Sequence, residues 1–330
     1  MRQHRLACLQ MRTLFTTTGR TASASDADIE RFFASAGLEG FWLDIENPDE
    51  DDYRLLEKTF KFHPLTIEDI QHQNQRPKVE EYPEYNFAVI FEAAWHADEL
   101  VFQENHLFVG PDYLVSVHLG PTPTLVALQD RIAKSPDLTK RQPAFLTYLV
   151  VDALVDATFP VLEILDETVD ELEDDITKKA SAASLDRIYH LKHSVTELRR
   201  FLGAQRDVFQ RLITHGVHLQ QQDMTLYYRD VYDHIVRQYE TVDSLRDLLT
   251  SAMDVYLSTV SNRLNQTTKA LTVIASLFLP LSFLTGFYGM NFSLLTGVLE
   301  TPYAAFAVGV GTMLIATAIQ LYLFRRRGWI

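Results

Sequence analysis

The chain is short of cysteine, of catalytic motifs and of basic residues. Only Cys8 among its 330 residues is a cysteine. This excludes an internal disulfide and a cysteine-rich metal cluster, and it fits a mostly reducing compartment. No GxxxxGK[ST], HExxH or GxSxG pattern is present, so we expect neither ATP-driven chemistry nor an enzyme. The formal net charge of −14 argues against nucleic-acid binding and favours contact with cations.

Proline and glycine are both absent from residues 223–279, and the next of each are Pro280 and Gly286. A stretch without helix breakers predicts one very long helix, which would span about 100 Å if it continued to Tyr288 at 1.5 Å per residue. Its apolar residues recur near three-four spacing, as in a helix that packs alongside others. We expect this helix to pass from the cytoplasm into a membrane without a break, so that motion in the soluble part reaches the membrane segment directly.

Two C-terminal stretches are apolar enough to cross a lipid bilayer. Residues 271–287 carry no charge, and residues 302–324 form a second apolar run. Arginines follow at residues 325–327. Because cytoplasmic flanks are enriched in basic residues, these arginines place the C-terminus in the cytoplasm. Two spans then bring the N-terminal domain to the same side and the connecting loop to the outside.

The first span carries a stripe that a simple anchor does not need. Small and hydroxyl-bearing residues recur at spacings of three and four, which places them on one side of a helix. A helix surrounded by lipid has no use for such a stripe, whereas a helix that packs against copies of itself around a water-filled path does. The stripe consists of Asn265, Thr268, Thr272, Ala275, Leu279, Ser282 and Gly286.

The first span ends in the sequence YGMNF at residues 288–292, which resembles the signature of CorA-family divalent-cation channels. Its position between two C-terminal apolar spans is also typical of that family. Similar segments occur at residues 63–70 (HPLTIEDI), 75–80 (QRPKVE) and 228–234 (YRDVYDH), so the resemblance covers most of the chain from about residue 40. It implies an α/β N-terminal cytoplasmic domain, a long helical stalk and two C-terminal transmembrane helices in a funnel-shaped homopentamer.

The resemblance implies that Gly289, Met290 and Asn291 form a selectivity filter. Mg²⁺ holds its waters tightly, so neutral amide and carbonyl oxygens that bind those waters suit it better than a carboxylate cage. The alternative is an ordinary helix end, at which Asn291 satisfies free carbonyls.

The pore-lining positions that the resemblance implies lie below this filter. Asn265 and Ser282 would hydrogen-bond the hydrated ion, while Leu271 and Leu279 would form apolar constrictions that close by dewetting. The alternative for each leucine is ordinary contact with lipid or with another helix. The full set is Asn265, Thr268, Leu271, Thr272, Ala275, Leu279 and Ser282.

The chain departs from the family in two places. The loop after the motif is neutral up to Glu300, whereas many members carry acidic residues soon after the motif. This weakens electrostatic capture of Mg²⁺ at the mouth. Leu279 and Ser282 also stand where methionine and threonine are common.

The resemblance implies a regulatory Mg²⁺ site in the soluble part, made by Glu68, Asp69 and Asp230 across subunit borders, with Asp152 as a further candidate. Carboxylates crowded at an interface repel one another, and a divalent ion removes that repulsion. High internal Mg²⁺ would therefore hold the subunits together and closed, and low Mg²⁺ would loosen them. The alternative is that Asp230 pairs with Arg229 or another base.

The soluble part is predicted to be an α/β domain followed by long helices. Strands are expected at residues 41–45, 86–91, 104–109 and 113–117. Helices are expected at residues 26–34, 49–60, 63–71, 124–133, 143–179 and 184–215. The acidic run at residues 166–175 is either a solvated helical face or a rim that attracts cations. The predicted divisions are a leader (1–38), the α/β domain (39–140), a helical hairpin (141–222), the stalk and first span (223–290), an outer loop (291–301), the second span (302–324) and a basic tail (325–330).

The leading hypothesis is a homopentameric channel for Mg²⁺, and also Co²⁺ or Ni²⁺, in the cell inner membrane with both termini cytoplasmic. Cytoplasmic Mg²⁺ would gate it. Mg²⁺ would be both transported and regulatory, with no organic cofactor, and the partners would be copies of the chain, divalent cations and the lipid bilayer. The alternatives are a Zn²⁺ transporter of the same family, which could be proton-coupled, and a membrane-anchored metal sensor that conducts nothing.

Overall fold

The computed structural model describes residues 11–16, 19–34, 40–73, 75–97, 99–135, 143–215, 224–290 and 302–329. The chain divides into two units. The first comprises Met1–Asp175 and Ser181–Ala252, and the second comprises Ile176–Ala180 and Met253–Ile330.

The first unit is built on a mixed sheet with the strand order β2-β1-β3-β7-β6-β5-β4. Strands β3 (Phe41–Glu46) and β7 (Tyr113–His118) run parallel at its centre. The other strand pairs in the described part are antiparallel. The remaining strands are β1 (Met11–Thr16), β2 (Gly19–Ala22), β4 (Lys78–Glu81), β5 (Asn86–His96) and β6 (Glu99–Val109).

Strands β1 and β2 correct the prediction that residues 1–38 form a leader outside the α/β domain. Strand β1 pairs with β3, and its Arg12 side chain forms ion pairs with Asp26 and with the fully buried Asp52. Helix α1 (Asp26–Ala34) follows, as predicted, and buries Ile29. Residues 11–34 are therefore part of the first unit, because their ladder bonds and buried side chains complete one edge of its sheet.

Two short helices cover one face of the sheet. Helix α2 (Glu50–Lys58) begins at Asp49, whose carboxylate accepts hydrogen bonds from the free N–H groups of the first turn. Helix α3 (Pro64–His72) follows at once. Apolar side chains of these helices and of every second strand residue pack into one cluster, as expected where strand side chains alternate between faces. The cluster includes Leu43, Ile45, Leu55, Leu56, Ile67, Ile70, Phe87, Phe108, Val115 and Val117.

The opposite face of the sheet packs against α4 (Pro123–Lys134) and α5 (Pro143–Asp156). Three buried polar side chains of the sheet are linked to one another and to α4 on this face. Trp42 Nε1 donates to Ser116 Oγ at 2.8 Å, Ser116 donates to Asp44, and Gln129 Nε2 of α4 donates to Asp44 at 2.6 Å. These bonds satisfy polar groups that burial would otherwise make costly.

The predicted helix over residues 143–179 is interrupted at Ala157, so that α6 (Thr158–Lys179) is a separate element. Pro160 explains the interruption, since it has no N–H to donate to the carbonyl of Asp156. Within α6, Val169 and Leu172 are fully buried, which agrees with the interpretation of the acidic run as a solvated helical face. Helix α7 (Ala182–His215) follows, and its Arg187 lies 2.9 Å from Asp175.

Helix α8 (Thr225–Tyr288) confirms the predicted long helix, with 64 residues and Pro280 inside it. Helix α9 (Pro302–Arg326) contains the second apolar run. By length and composition, the membrane-span candidates among the described residues are Pro143–Lys179, Thr225–Tyr288 and Phe306–Arg326. The apolar window of the first is 56% buried inside the protein, whereas the windows of the other two are not buried at all. Helices α5 and α6, which make up the first candidate, therefore pack within the protein. Helices α8 and α9 instead expose their apolar side chains.

Candidate functional site

The candidate stripe is exposed along one side of α8 in the second unit. We define it as the seven predicted pore-lining residues: Asn265, Thr268, Leu271, Thr272, Ala275, Leu279 and Ser282. All seven are exposed in the single chain. Leu271 and Leu279 keep 63% and 72% of their surface accessible, so these apolar side chains need either lipid or further copies of the helix to cover them.

The other side of α8 packs against α9. Val273, Leu277, Pro280, Leu284 and Tyr288 are all half-buried. At 100° per residue these five positions lie roughly opposite the candidate stripe. The second apolar helix therefore leaves the candidate stripe free.

Three hydrogen bonds join α8 to α9 and to the turn that follows α9, near the bottom, middle and top of the pair. Lys269 Nζ donates to the carbonyl of Gly328 at 3.1 Å, and Gln320 Nε2 donates to the carbonyl of Ser276 at 2.8 Å. Thr312 Oγ1 donates to the Tyr288 hydroxyl at 3.2 Å. Such bonds between apolar helices fix which sides of them face each other.

The Thr272 hydroxyl group of the candidate stripe is hydrogen-bonded within α8. Thr272 Oγ1 donates its proton to the Thr268 carbonyl at 2.8 Å. The hydroxyl oxygen then keeps its acceptor capacity, which is what a water molecule bound to a cation requires, because such a water donates its hydrogens outward. Thr272 can thus bind a hydrated cation without breaking its own bond to the helix.

Helix α8 ends in a tight turn at the predicted filter. Gly289 N donates to the Thr285 carbonyl at 3.0 Å, and Met290 N donates to the Phe287 carbonyl at 3.3 Å. A Cβ atom at Gly289 would lie 3.2 Å from the Thr285 carbonyl oxygen, so glycine suits this close turn. Met290 is exposed. The third predicted filter residue, Asn291, lies outside the described residues.

Among the predicted regulatory residues, Glu68 and Asp69 lie on α3. Glu68 is exposed. Asp69 Oδ2 lies 2.7 Å from Lys78 Nζ, which also lies 2.8 Å from Glu80 Oε1. Burial lowers the pKa of Lys78, but its hydrogen bonds to the two carboxylates more than offset this, so that its pKa is raised. Within one chain, Asp69 is thus already paired with a cation.

The other predicted regulatory residues meet on neighbouring turns of α5 and α8. Asp230 is exposed and accepts a hydrogen bond from the Tyr148 hydroxyl at 3.1 Å. In the described part of the chain it forms no ion pair with Arg229, which was the alternative interpretation. One turn further along each helix lie Asp152 and His234.

Asp152, Asp156 and His234 form a group that could hold a metal ion, with their ligand atoms within 4.8 Å of one another. His234 Nδ1 lies 2.7 Å from Asp156 Oδ1 and 3.8 Å from Asp152 Oδ1. Burial, and then the charge of Asp156, raise the pKa of Asp152 to about 6. Two carboxylates and an imidazole are suitable ligands for a divalent ion, including a transition metal. We call these three residues the α5–α8 cluster.

Sequence reasoning identified Asp152 but missed Asp156 and His234. A signal was present, since Asp152 and Asp156 are spaced i,i+4, as are Asp230 and His234, which places each pair on one side of its helix. What the sequence does not contain is the register of α5 against α8, which brings the two pairs together.

Comparison with known proteins agrees with this architecture. The family described as CorA-like Mg²⁺ transporter protein matches residues 39–326. The Bacillus subtilis protein YfjQ is 33% identical over 88% of this chain and 89% of its own length. The cobalt/magnesium transport protein CorA of Thermotoga maritima is 31% identical over 88% of this chain and 83% of its own. The complete structure of the CorA magnesium transporter from Methanocaldococcus jannaschii has a TM-score of 0.82 at 22% identity, covering 97% of this chain and 98% of that one.

Proposed function

The chain belongs to the CorA family of divalent metal-ion transporters, and from this premise we propose that it conducts hydrated Mg²⁺ into the cytoplasm, with Co²⁺ and Ni²⁺ as further substrates. Five copies would surround one path, in the inner membrane, with both termini cytoplasmic. The observation that carries the proposal is the exposed candidate stripe on the side of α8 away from α9. It leaves hydroxyl and amide groups free to line a shared path.

The proposed path ends at a filter made by Gly289, Met290 and Asn291. Backbone carbonyls and the Asn291 amide, repeated around the ring, would accept hydrogen bonds from the waters of the ion rather than strip them. Lower down, Ser282 and Asn265 would do the same. Leu279 and Leu271 would close the path by dewetting when the ring contracts.

The membrane potential is a sufficient driving force for this transport. A divalent ion moving inward gains about 4.6 kcal/mol per 100 mV, twice the value for a single charge. That corresponds to roughly a 2,000-fold concentration ratio at equilibrium. Coupling to a nucleotide is not required.

Gating is proposed to depend on cytoplasmic Mg²⁺ bound by Glu68, Asp69, Asp152 and Asp230 between subunits. The structure supports adding Asp156 and His234 to this set, since both lie within ligand distance of Asp152. A bound ion would neutralise carboxylates that otherwise repel one another across the border. Helix α8 carries both Asp230 and the candidate stripe, so a change at the border has a continuous helix through which to act.

Flux into liposomes tests the proposed substrate and filter together. Purified protein should admit Mg²⁺ under an inside-negative potential without a proton gradient. Asn291→Ala should reduce flux or its preference for Mg²⁺ at least tenfold, because one ring of amide oxygens is lost. Asn262→Ala is the matched control, as Asn262 is exposed on α8 before the apolar run.

The rival functions give different outcomes in the same assay. Flux of Zn²⁺ alone, and only with a proton gradient, would assign the chain to proton-coupled zinc transport. Absence of flux for any divalent ion would leave a sensor that conducts nothing. Unchanged flux and selectivity in Asn291→Ala would remove Asn291 from the filter while leaving transport itself in place.

A further inference from the structure

Pro280 removes one hydrogen bond from the middle of α8. In a regular helix the N–H of residue 280 would donate to the carbonyl of residue 276. Proline has no N–H, so the carbonyl of Ser276 loses its helical partner. In an apolar helix an unsatisfied carbonyl destabilises the structure unless another group donates a hydrogen bond to it. The sequence of α8 alone does not identify that group.

The missing donor comes from α9. Gln320 Nε2 donates to the Ser276 carbonyl at 2.8 Å. The Thr317 hydroxyl of α9, in contrast, donates to the Met313 carbonyl of its own helix. Gln320 has no such bond to its own helix in the described part of the chain, so its donor serves α8.

A glutamine at this position is costly without a specific role. It lies in an apolar run, is half-buried between two helices, and its Oε1 atom is buried with no partner among the described residues. The favourable contact of this side chain is the hydrogen bond from its Nε2 atom to the Ser276 carbonyl. The bond therefore offsets two separate costs, the polar side chain in α9 and the unpaired carbonyl in α8.

We infer that Gln320 is a positioning residue, which closes the break at Pro280 from outside the proposed pore and sets the direction of the last turns of α8. Those turns carry Leu279, Ser282 and the helix end at Gly289, so the inference rests on the proposed function for its consequence in transport. The carbonyl of Ser276 lies on the α9 side of α8, so the break does not open toward the candidate stripe.

A double-substitution cycle tests this pairing directly. Pro280→Ala returns an N–H to residue 280, and the Ser276 carbonyl then no longer needs Gln320. Gln320→Met, which keeps the length but removes the donor, should lower Mg²⁺ flux at least fivefold in the Pro280 chain. In the Pro280→Ala chain it should change flux less than twofold. Thr317→Val is the control, since the Thr317 hydroxyl donates to the Met313 carbonyl of its own helix. Its effect on flux should be the same in both backgrounds.

A distance measurement keeps the test independent of transport. Spin labels at Phe283→Cys and Leu314→Cys, in a Cys8→Ser chain diluted with unlabelled protein, report the separation of α8 and α9 above the break. Gln320→Met should broaden or shift this distance by several ångströms in the Pro280 chain and leave it unchanged with Pro280→Ala. Gln320→Asn keeps the amide but is one methylene shorter, so it should change the distance in the same way as Gln320→Met. It replaces Gln320→Met in the measurement if the methionine variant does not fold.

The outcomes separate the two proposals. Equal effects of Gln320→Met in both backgrounds, on flux and on distance, would overturn the role of Gln320. A distance change that depends on Pro280, in a protein that passes no divalent ion, would retain Gln320 as the positioning residue and refute the channel.

Discussion

Lys78 Nζ lies 2.7 Å from Asp69 Oδ2 within one chain, so a carboxylate proposed to bind regulatory Mg²⁺ already has a cationic partner. A divalent ion at Asp69 must therefore either displace Lys78 or share the carboxylate with it. This relationship makes the lysine a competitor that sets how much Mg²⁺ is needed. It also offers a way to change the regulation without touching any proposed ligand.

Lys78→Met should lower the internal Mg²⁺ concentration that half-inhibits flux by roughly threefold to fivefold, the scale of a partly exposed ion pair worth up to about 1 kcal/mol. The measurement is liposome flux at a series of internal Mg²⁺ concentrations. Lys61→Met is the control, because Lys61 is exposed in the link between α2 and α3. A need for more Mg²⁺ in Lys78→Met would show that the lysine assists binding instead.

Asp152→Asn should raise the unfolding temperature of the metal-free protein at pH 7.5 by a few degrees and have little effect near pH 4. The reason is the raised pKa of Asp152, about 6, caused first by burial and then by Asp156. A carboxyl group with a raised pKa stabilises the fold at low pH, and this contribution is lost as the pH rises through about 6. The measurement is thermal unfolding at both pH values.

The same variant should lose the stabilisation that Co²⁺ gives the unaltered protein, since Asp152 belongs to the α5–α8 cluster. In the unaltered protein this stabilisation should itself weaken below about pH 6, as protons compete for the carboxylate. Asp233→Asn, exposed beside His234, should change neither result. An equal Co²⁺ effect in both variants would place the ion elsewhere.

Leu279→Ser should leave flux at least fivefold higher than in the unaltered protein when internal Mg²⁺ is high. A hydroxyl ring keeps water in a constriction that a leucine ring would empty. Ile274→Ser is the matched control, because Ile274 is also exposed, at 54%, but lies outside the candidate stripe, about 140° around α8 from Leu279. Similar flux in the two variants would mean that Leu279 faces lipid.

His118→Gln should lower the unfolding temperature more at pH 5.5 than at pH 9. Burial lowers the pKa of His118, but the Asp44 carboxylate, 3.4 Å from His118 Nε2, outweighs it, so that the pKa is raised above its ordinary value. The pair therefore contributes its full stability below the unfolded-state pKa and loses it as the pH rises through the folded-state pKa. The exposed His96 gives the control, His96→Gln. A larger loss at pH 9 would contradict this sign.

The elements with strong local signals were predictable from the sequence. Helix α2 begins where Asp49 and the acidic first turn indicate, and α8 is unbroken because no proline or glycine interrupts it before Pro280. Strands β1 and β2 were not predicted, since they are short and are held by pairing of β1 with β3 and of β2 with β1, which local sequence does not encode.

The candidate sites also differ in how far the sequence predicts them. The candidate stripe follows from spacing along one helix, and the structure places it where spacing predicts, on a single exposed side. The α5–α8 cluster and the Gln320–Ser276 bond each need two helices in a particular register. Pro280 indicates that one backbone N–H donor is missing from α8. The packing of α9 against α8 shows that Gln320 supplies the hydrogen bond instead.

The boundary of the first unit at Ala252 has a consequence for biosynthesis. The first unit is not complete until residue 252 has been made, and the uncharged apolar run of α8 begins at Leu271. At roughly 10 residues per second a ribosome adds the intervening stretch in about 2 s. The first unit therefore folds at nearly the same time as the membrane-insertion machinery binds the nascent chain. Substitutions that slow closure of the sheet would then reduce the yield of inserted protein even where the finished molecule is stable.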